Sequence, residues 1–139
     1  SKMVDIDGKP YLDGGCSCKI PYQWAIDQGF EKIVVIKTRH ADYRKNLKKA
    51  SETSLAHRIY HTHPEFAHVL EQSDAAYNHQ CDELEQLAKE GRIYLVSPSV
   101  PMRISRLEKD MEKLGHLYAR GYKDAKDQME QLKAYLGMK

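Results

Sequence analysis

The chain has 139 residues, enough for one ordinary domain with a single core. Apolar residues make up 41% and charged residues 30%, with no low-complexity tract, which excludes a disordered tail or a fibrous repeat. The net charge is only +2 and basic residues are dispersed among acids, so no basic patch for nucleic acid is visible; three cysteines, an odd count, fit a reducing, cytoplasmic setting better than a disulfide framework.

In chain order, Val4, Ile6, Tyr11 and Leu12 flank Asp7-Gly8-Lys9-Pro10, and Asp-Gly between short apolar runs predicts a β-hairpin. A glycine- and cysteine-rich bend follows over residues 13–19. Pro21 suits the first turn of a short helix through Ile26, with Gly29 as its stop. The β-branched run Ile33-Val34-Val35-Ile36 predicts a strand covered on both faces. Leu47, Ala50, Leu55 and Ile59 share one face of a helix that Pro64 ends. Phe66, Leu70, Tyr77, Leu84 and Leu87 recur near the 3.6 period of a longer helix, stopped by Gly91. Ile93-Tyr94-Leu95-Val96 is a second strand, ended by Pro98 and Pro101. Two helices between the strands predict a right-handed parallel crossover.

From Asp110 to Leu136 the pattern predicts two more helices broken near Gly121, with Tyr122, Ala125, Met129, Leu132 and Leu136 as an apolar stripe. No apolar run approaches the length needed to span a bilayer, and no signal-peptide pattern occurs. Ser1-Lys2-Met3 reads as an artificial junction. The expected class is α/β: a small, partly parallel sheet, an N-terminal β-hairpin and a helix-rich C-terminal half. Residues 1–40 form one region and residues 41–139 a second, helical one, with one further strand at 93–97.

Asp13-Gly14-Gly15 is the most informative segment. It places a carboxylate at the end of a strand, and two glycines then allow positive φ or close approach by another backbone. Such a carboxylate suits a general base beside a nucleophilic hydroxyl; an aspartate in a plain tight turn is the bland alternative. Metal binding competes, since Cys16, Cys18, His57, His61, His63, His68 and Cys81 are zinc-type ligands. Their C-x-C and H-x-H spacings are not those of structural zinc sites, and exposed histidines with free thiols fit as well. No metal is assigned. Trp24, near Tyr22, fits core packing better than a lipid-interface anchor.

The surroundings of Asp13 extend the signal. Asp13-Gly14-Gly15, Ile20-Pro21, Ala25-Ile26-Asp27-Gln28-Gly29, Lys32-Ile33-Val34-Val35-Ile36 and Thr38-Arg39 run in order. Tyr43-Arg44-Lys45, Tyr77-Asn78, the segment 93–99, the segment 105–110, Leu114, Leu117-Tyr118 and Gly121-Tyr122 follow. This ordered set resembles the patatin-like phospholipases, in particular their bacterial branch.

The resemblance implies part of a patatin-like α/β fold, with residues 1–40 as the C-terminal end of the catalytic domain. It implies acyl-ester hydrolysis by a serine–aspartate dyad with no cofactor. Asp13 is then the proton acceptor, and Gly14 and Gly15 shape its turn. The substrate implied is a lipid or other acyl ester, and the location cytoplasmic, peripheral at membranes. None of the eight serines lies in the G-x-S-x-G of the nucleophile elbow; Gly15-Cys16-Ser17-Cys18-Lys19 has lysine where the second glycine belongs. The expectation is therefore a C-terminal portion that supplies the aspartate, lacks the nucleophile and is inactive alone. The exposed edge of strand 33–36 would then favour self-association. A non-catalytic binding module derived from the same fold is the alternative, and a metal-binding module a third reading.

Overall fold

The structure is a computed structural model that describes residues 3–47, 56–101, 104, 105 and 107–138. It is mixed α/β, with two small sheets and a helical C-terminal half. The order is β1 (Val4–Ile6), β2 (Lys9–Tyr11), a 3-10 turn (Gly14–Cys16), α1 (Tyr22–Asp27), β3 (Val34–Ile36), α2 (Pro64–Lys89), β4 (Tyr94–Val96), α3 (Met111–Asp127) and α4 (Met129–Leu136). The chain divides into two compact units, residues through Pro21 with Arg44–Asp82, and Tyr22–Tyr43 with Glu83 onward.

In the first unit β1 and β2 pair antiparallel, Val4 opposite Tyr11 and Ile6 opposite Lys9. Asp7 and Gly8 both take positive φ, 53° and 75°, the two-residue turn whose twist matches the strands it joins. Asp5 accepts the Gly8 N–H at 3.0 Å, and the expected hairpin is present. Along α2, Ala67, Tyr77 and Cys81 are buried in this unit; of the expected stripe Tyr77 is buried, while Phe66 and Leu70 are half-buried. Pro64 opens that helix, where its missing N–H costs nothing. The earlier helix expected over Leu47–Ile59 falls partly outside the described residues; residues 56–59 are helical and Ile59 is exposed.

In the second unit β3 and β4 pair parallel, Val34 with Tyr94 and Ile36 with Val96, as two strands joined through a helix should. Gly29 after α1 and Gly91 after α2 have φ of +80° and +72° and close both helices. Tyr22, Ile33, Val35, Leu84 and Ile93 are buried. The Tyr22 hydroxyl donates to the Glu83 carboxylate. Tyr135 on α4 ties the strand starts together: its oxygen accepts the Ile33 N–H at 3.0 Å, and its hydroxyl reaches the Arg92 carbonyl at 3.0 Å.

Four expectations need correction. The strand over 33–36 is not covered on both faces, because Val35 is buried while Ile36 is 74% exposed. β-Branched composition reports fit to a pleated backbone, not which face is packed. The other face, with Val34 and Ile36, borders a cavity of about 190 Å³ shared with Leu117, Ala125 and Leu132. The C-terminal helices break at Gln128, with φ −100° and ψ 0°, not at Gly121, which sits within α3. A single glycine costs a helix only about 1 kcal/mol, whereas Gln128 turns its amide back to the Asp124 carbonyl at 3.2 Å and its own carbonyl accepts from Tyr94. The stripe from Tyr122 to Leu136 therefore spans two helices, with Tyr122 and Met129 exposed. Trp24 is not core; it is 61% exposed and tilts against Phe30 with ring centroids 6.2 Å apart.

Asp124 is the buried carboxylate of α3. The Ser99 N–H donates to it at 3.0 Å, and that bond, with one from the Ser99 side chain, holds its pKa below the ordinary value of 3.8. A depressed folded pKa gives stability that is complete above about 3.8 and lost as pH falls through the folded value. Asp124→Asn should therefore lower stability at neutral pH and flatten the acid limb of a pH–melting curve. An unchanged acid limb would remove this carboxylate from the pH response.

Candidate functional site

The candidate site is the bend that starts at Asp13. Residue 13 leaves the hairpin in an extended conformation, φ −53° and ψ 128°, and caps the 3-10 turn that follows. Its Oδ1 accepts the Gly15 N–H at 2.8 Å, and its carbonyl accepts from Cys16 at 2.9 Å. The carboxylate is exposed, and among the described residues its Oδ2 has no partner. One oxygen is thus held in place by the Gly15 N–H, on an exposed carboxylate.

Gly15 has a steric reason to be glycine. A Cβ there would meet Asp13 Oδ1 at 3.2 Å, tight enough to push the carboxylate aside by a few tenths of an ångström. Gly14 has no such crowding; its carbonyl accepts from the N–H groups of Ser17 and Cys18 and from the Ser17 hydroxyl at 3.1 Å. That last bond matters. Ser17, the nearest serine in sequence, spends its hydroxyl on a backbone carbonyl and not on Asp13.

Two lysines that the Asp13-Gly14-Gly15 motif does not announce lie beside the bend. Lys19 donates to the Gly15 carbonyl at 3.1 Å. Partial burial lowers its pKa, and the neighbouring Lys45 charge lowers it further. Lys45 pairs with Asp74 at 2.6 Å, and its ammonium lies 5.5 Å from the Tyr77 ring centre. Lys45 and Asn78 exchange bonds in both directions, Lys45 N–H to Asn78 Oδ1 at 2.8 Å and Asn78 Nδ2 to the Lys45 carbonyl at 2.9 Å. Arg44 reaches Asp82 at 2.6 Å. Gln80 donates to the Ile20 carbonyl at 3.0 Å, fixing the chain just after the bend. Segments 44–45 and 77–78, far apart in sequence, therefore meet, and a local motif search has no way to see that pairing.

The possible metal ligands are not gathered. Among the described residues no cluster of three or more histidines, cysteines or carboxylates could hold a metal ion. His57 faces Glu71 at 3.2 Å, His63 faces Thr62, and His68 faces Gln72. Cys16, Cys18 and Cys81 are free thiols. No helix among the described residues is long and apolar enough to cross a membrane.

Helices α2, α3 and α4 define the class to which the chain can be assigned: a predominantly helical C-terminal module that follows a small α/β region. The chain belongs to the family described as Domain of unknown function (DUF6363), which covers residues 63–137, just over half of its length. The match starts at the residue before α2 and ends after α4, so the Asp13 bend lies outside it. No curated protein and no solved structure matches the chain.

Proposed function

We propose that this chain supplies the proton-accepting aspartate of a patatin-like lipid acyl hydrolase, with Asp13 as the base of a serine–aspartate dyad. The serine is contributed by a segment outside these 139 residues, on a G-x-S-x-G turn. One arrangement carries the reading: an exposed carboxylate pinned through Oδ1 by Gly15, with Oδ2 open, at the end of a β-hairpin. A base so placed takes the hydroxyl proton directly and needs no histidine between them. The residues that carry the resemblance add support, since Arg44, Lys45 and Asn78 form a bonded network with α2 in the same unit as the bend. The exposed Trp24 and Phe30 pair suits peripheral contact with a lipid interface, where aromatic rings settle readily. On this reading the sheet of β3 and β4 is completed by strands from the same outside segment.

The reading is tested with short-chain p-nitrophenyl esters. The 139-residue chain alone should give no turnover above buffer, whereas a protein that also carries the G-x-S-x-G segment should give readily measured turnover. Hydrolysis by the 139 residues alone would refute it. Because β3 and β4 pair only with each other among the described residues, the isolated chain should self-associate through the open edge. Light scattering that reports a monomer at high concentration would argue against missing strands.

A further inference from the structure

In the second unit, the loops that leave the carboxyl ends of β3 and β4 enclose a cavity of about 390 Å³, lined by Thr38, Arg39, His40, Tyr43, Pro98 and Ile104 among others. Ligands of α/β proteins collect at this end of parallel strands, because the loops there converge while the strands hold them rigid. We infer that this cavity binds a small organic phosphate, with Arg39, His40 and Thr38 taking the phosphate and Tyr43, Pro98 and Ile104 the organic part. The inference rests on the second unit alone and not on the reading of Asp13.

The donors fit the anion. Arg39 makes no ion pair among the described residues, and its guanidinium is held 5.2 Å from the Tyr43 ring centre. A positioned, unneutralised guanidinium is the preferred partner of phosphate oxygens. The Asp42 N–H donates to His40 Nδ1 at 3.3 Å, which places the proton of the neutral ring on Nε2, free to donate. Asp42 Oδ2 lies 3.5 Å from the same ring nitrogen. That carboxylate is 90% exposed, so water screens its repulsion of an incoming anion. Beneath the loop the buried Lys37 donates to the Ala41 carbonyl at 3.3 Å, which fixes the turn and adds positive charge. Pro98, Pro101 and Ile104 supply an apolar wall that free phosphate alone would leave unused.

The test is calorimetric titration of the full chain with phenyl phosphate, inorganic phosphate and phenol, with amide shifts followed in parallel by NMR. Phenyl phosphate should bind in the millimolar range or tighter and shift residues 38–43. Inorganic phosphate should bind more weakly, and phenol not at all. Arg39→Gln should weaken phenyl phosphate about tenfold, and Lys89→Gln, a charge change elsewhere, should not. A further arm with dihexanoyl phosphatidic acid, kept below its micelle concentration, separates a lipid source from a free phosphate ester by which of the two binds more tightly. If Arg39→Gln does not fold, Thr38→Val with the shift map serves instead. Absence of phenyl phosphate binding, equal binding of phenol, or shifts confined to other residues overturns the inference.

Discussion

Asp13→Asn is expected to cut ester turnover on the order of 10³-fold in a protein that carries both this chain and a G-x-S-x-G segment. The amide preserves the shape of the carboxylate and can still accept the Gly15 N–H, so the bend should keep its geometry. What it loses is the basic oxygen. Asp13→Ala removes the cap as well, and should add a stability loss of about 1 kcal/mol to the same loss of turnover. Gly15→Ala gives the graded case: the added Cβ presses on Asp13 Oδ1 from 3.2 Å, and a displacement of that size should cost about tenfold. Turnover and melting temperature measured on the three variants separate a base from a mere cap. If Asp13→Asn keeps full activity, Asp13 is not the base.

The largest stability effect should come from Leu84→Ala. Leu84 is fully buried on α2 within the second unit, and removing such a side chain typically costs about 2–5 kcal/mol. Trp24→Ala removes a larger side chain, yet should change stability by only about 0.5 kcal/mol, since most of that ring already faces solvent. Denaturant titration of the two variants decides the matter. A Trp24 variant as unstable as the Leu84 variant would mean that the exposed aromatic pair is packed in solution.

These two residues also mark where sequence stops being informative. Leu84 was legible because it belongs to a long periodic pattern, and a 3.6-residue repeat over many turns fixes which face is buried. Trp24 was not, because a helix of six residues carries too few turns for periodicity to choose a face. The Asp7-Gly8 hairpin and the parallel strand pair were readable for local reasons, the first from turn chemistry and the second from the chain length between strands. The break at Gln128 was hidden, since it depends on a side chain reaching back four residues and on Tyr94. For the candidate site, residues 13–15 announced themselves by type and order. Lys19 reaches back only four residues, but the pairing of Lys45 with Asp74 and Asn78 is long-range and only the folded chain brings it about.

The bonds of Tyr135 carry a consequence for biosynthesis. Its oxygen holds Ile33, 102 residues earlier in the chain, at the very entrance to the first parallel strand. A ribosome must therefore synthesise past Tyr135 before that strand gains its last restraint. Until then Ile33 lacks the Tyr135 hydroxyl, and a nascent chain stalled short of α4 would present an unfinished strand to chaperones.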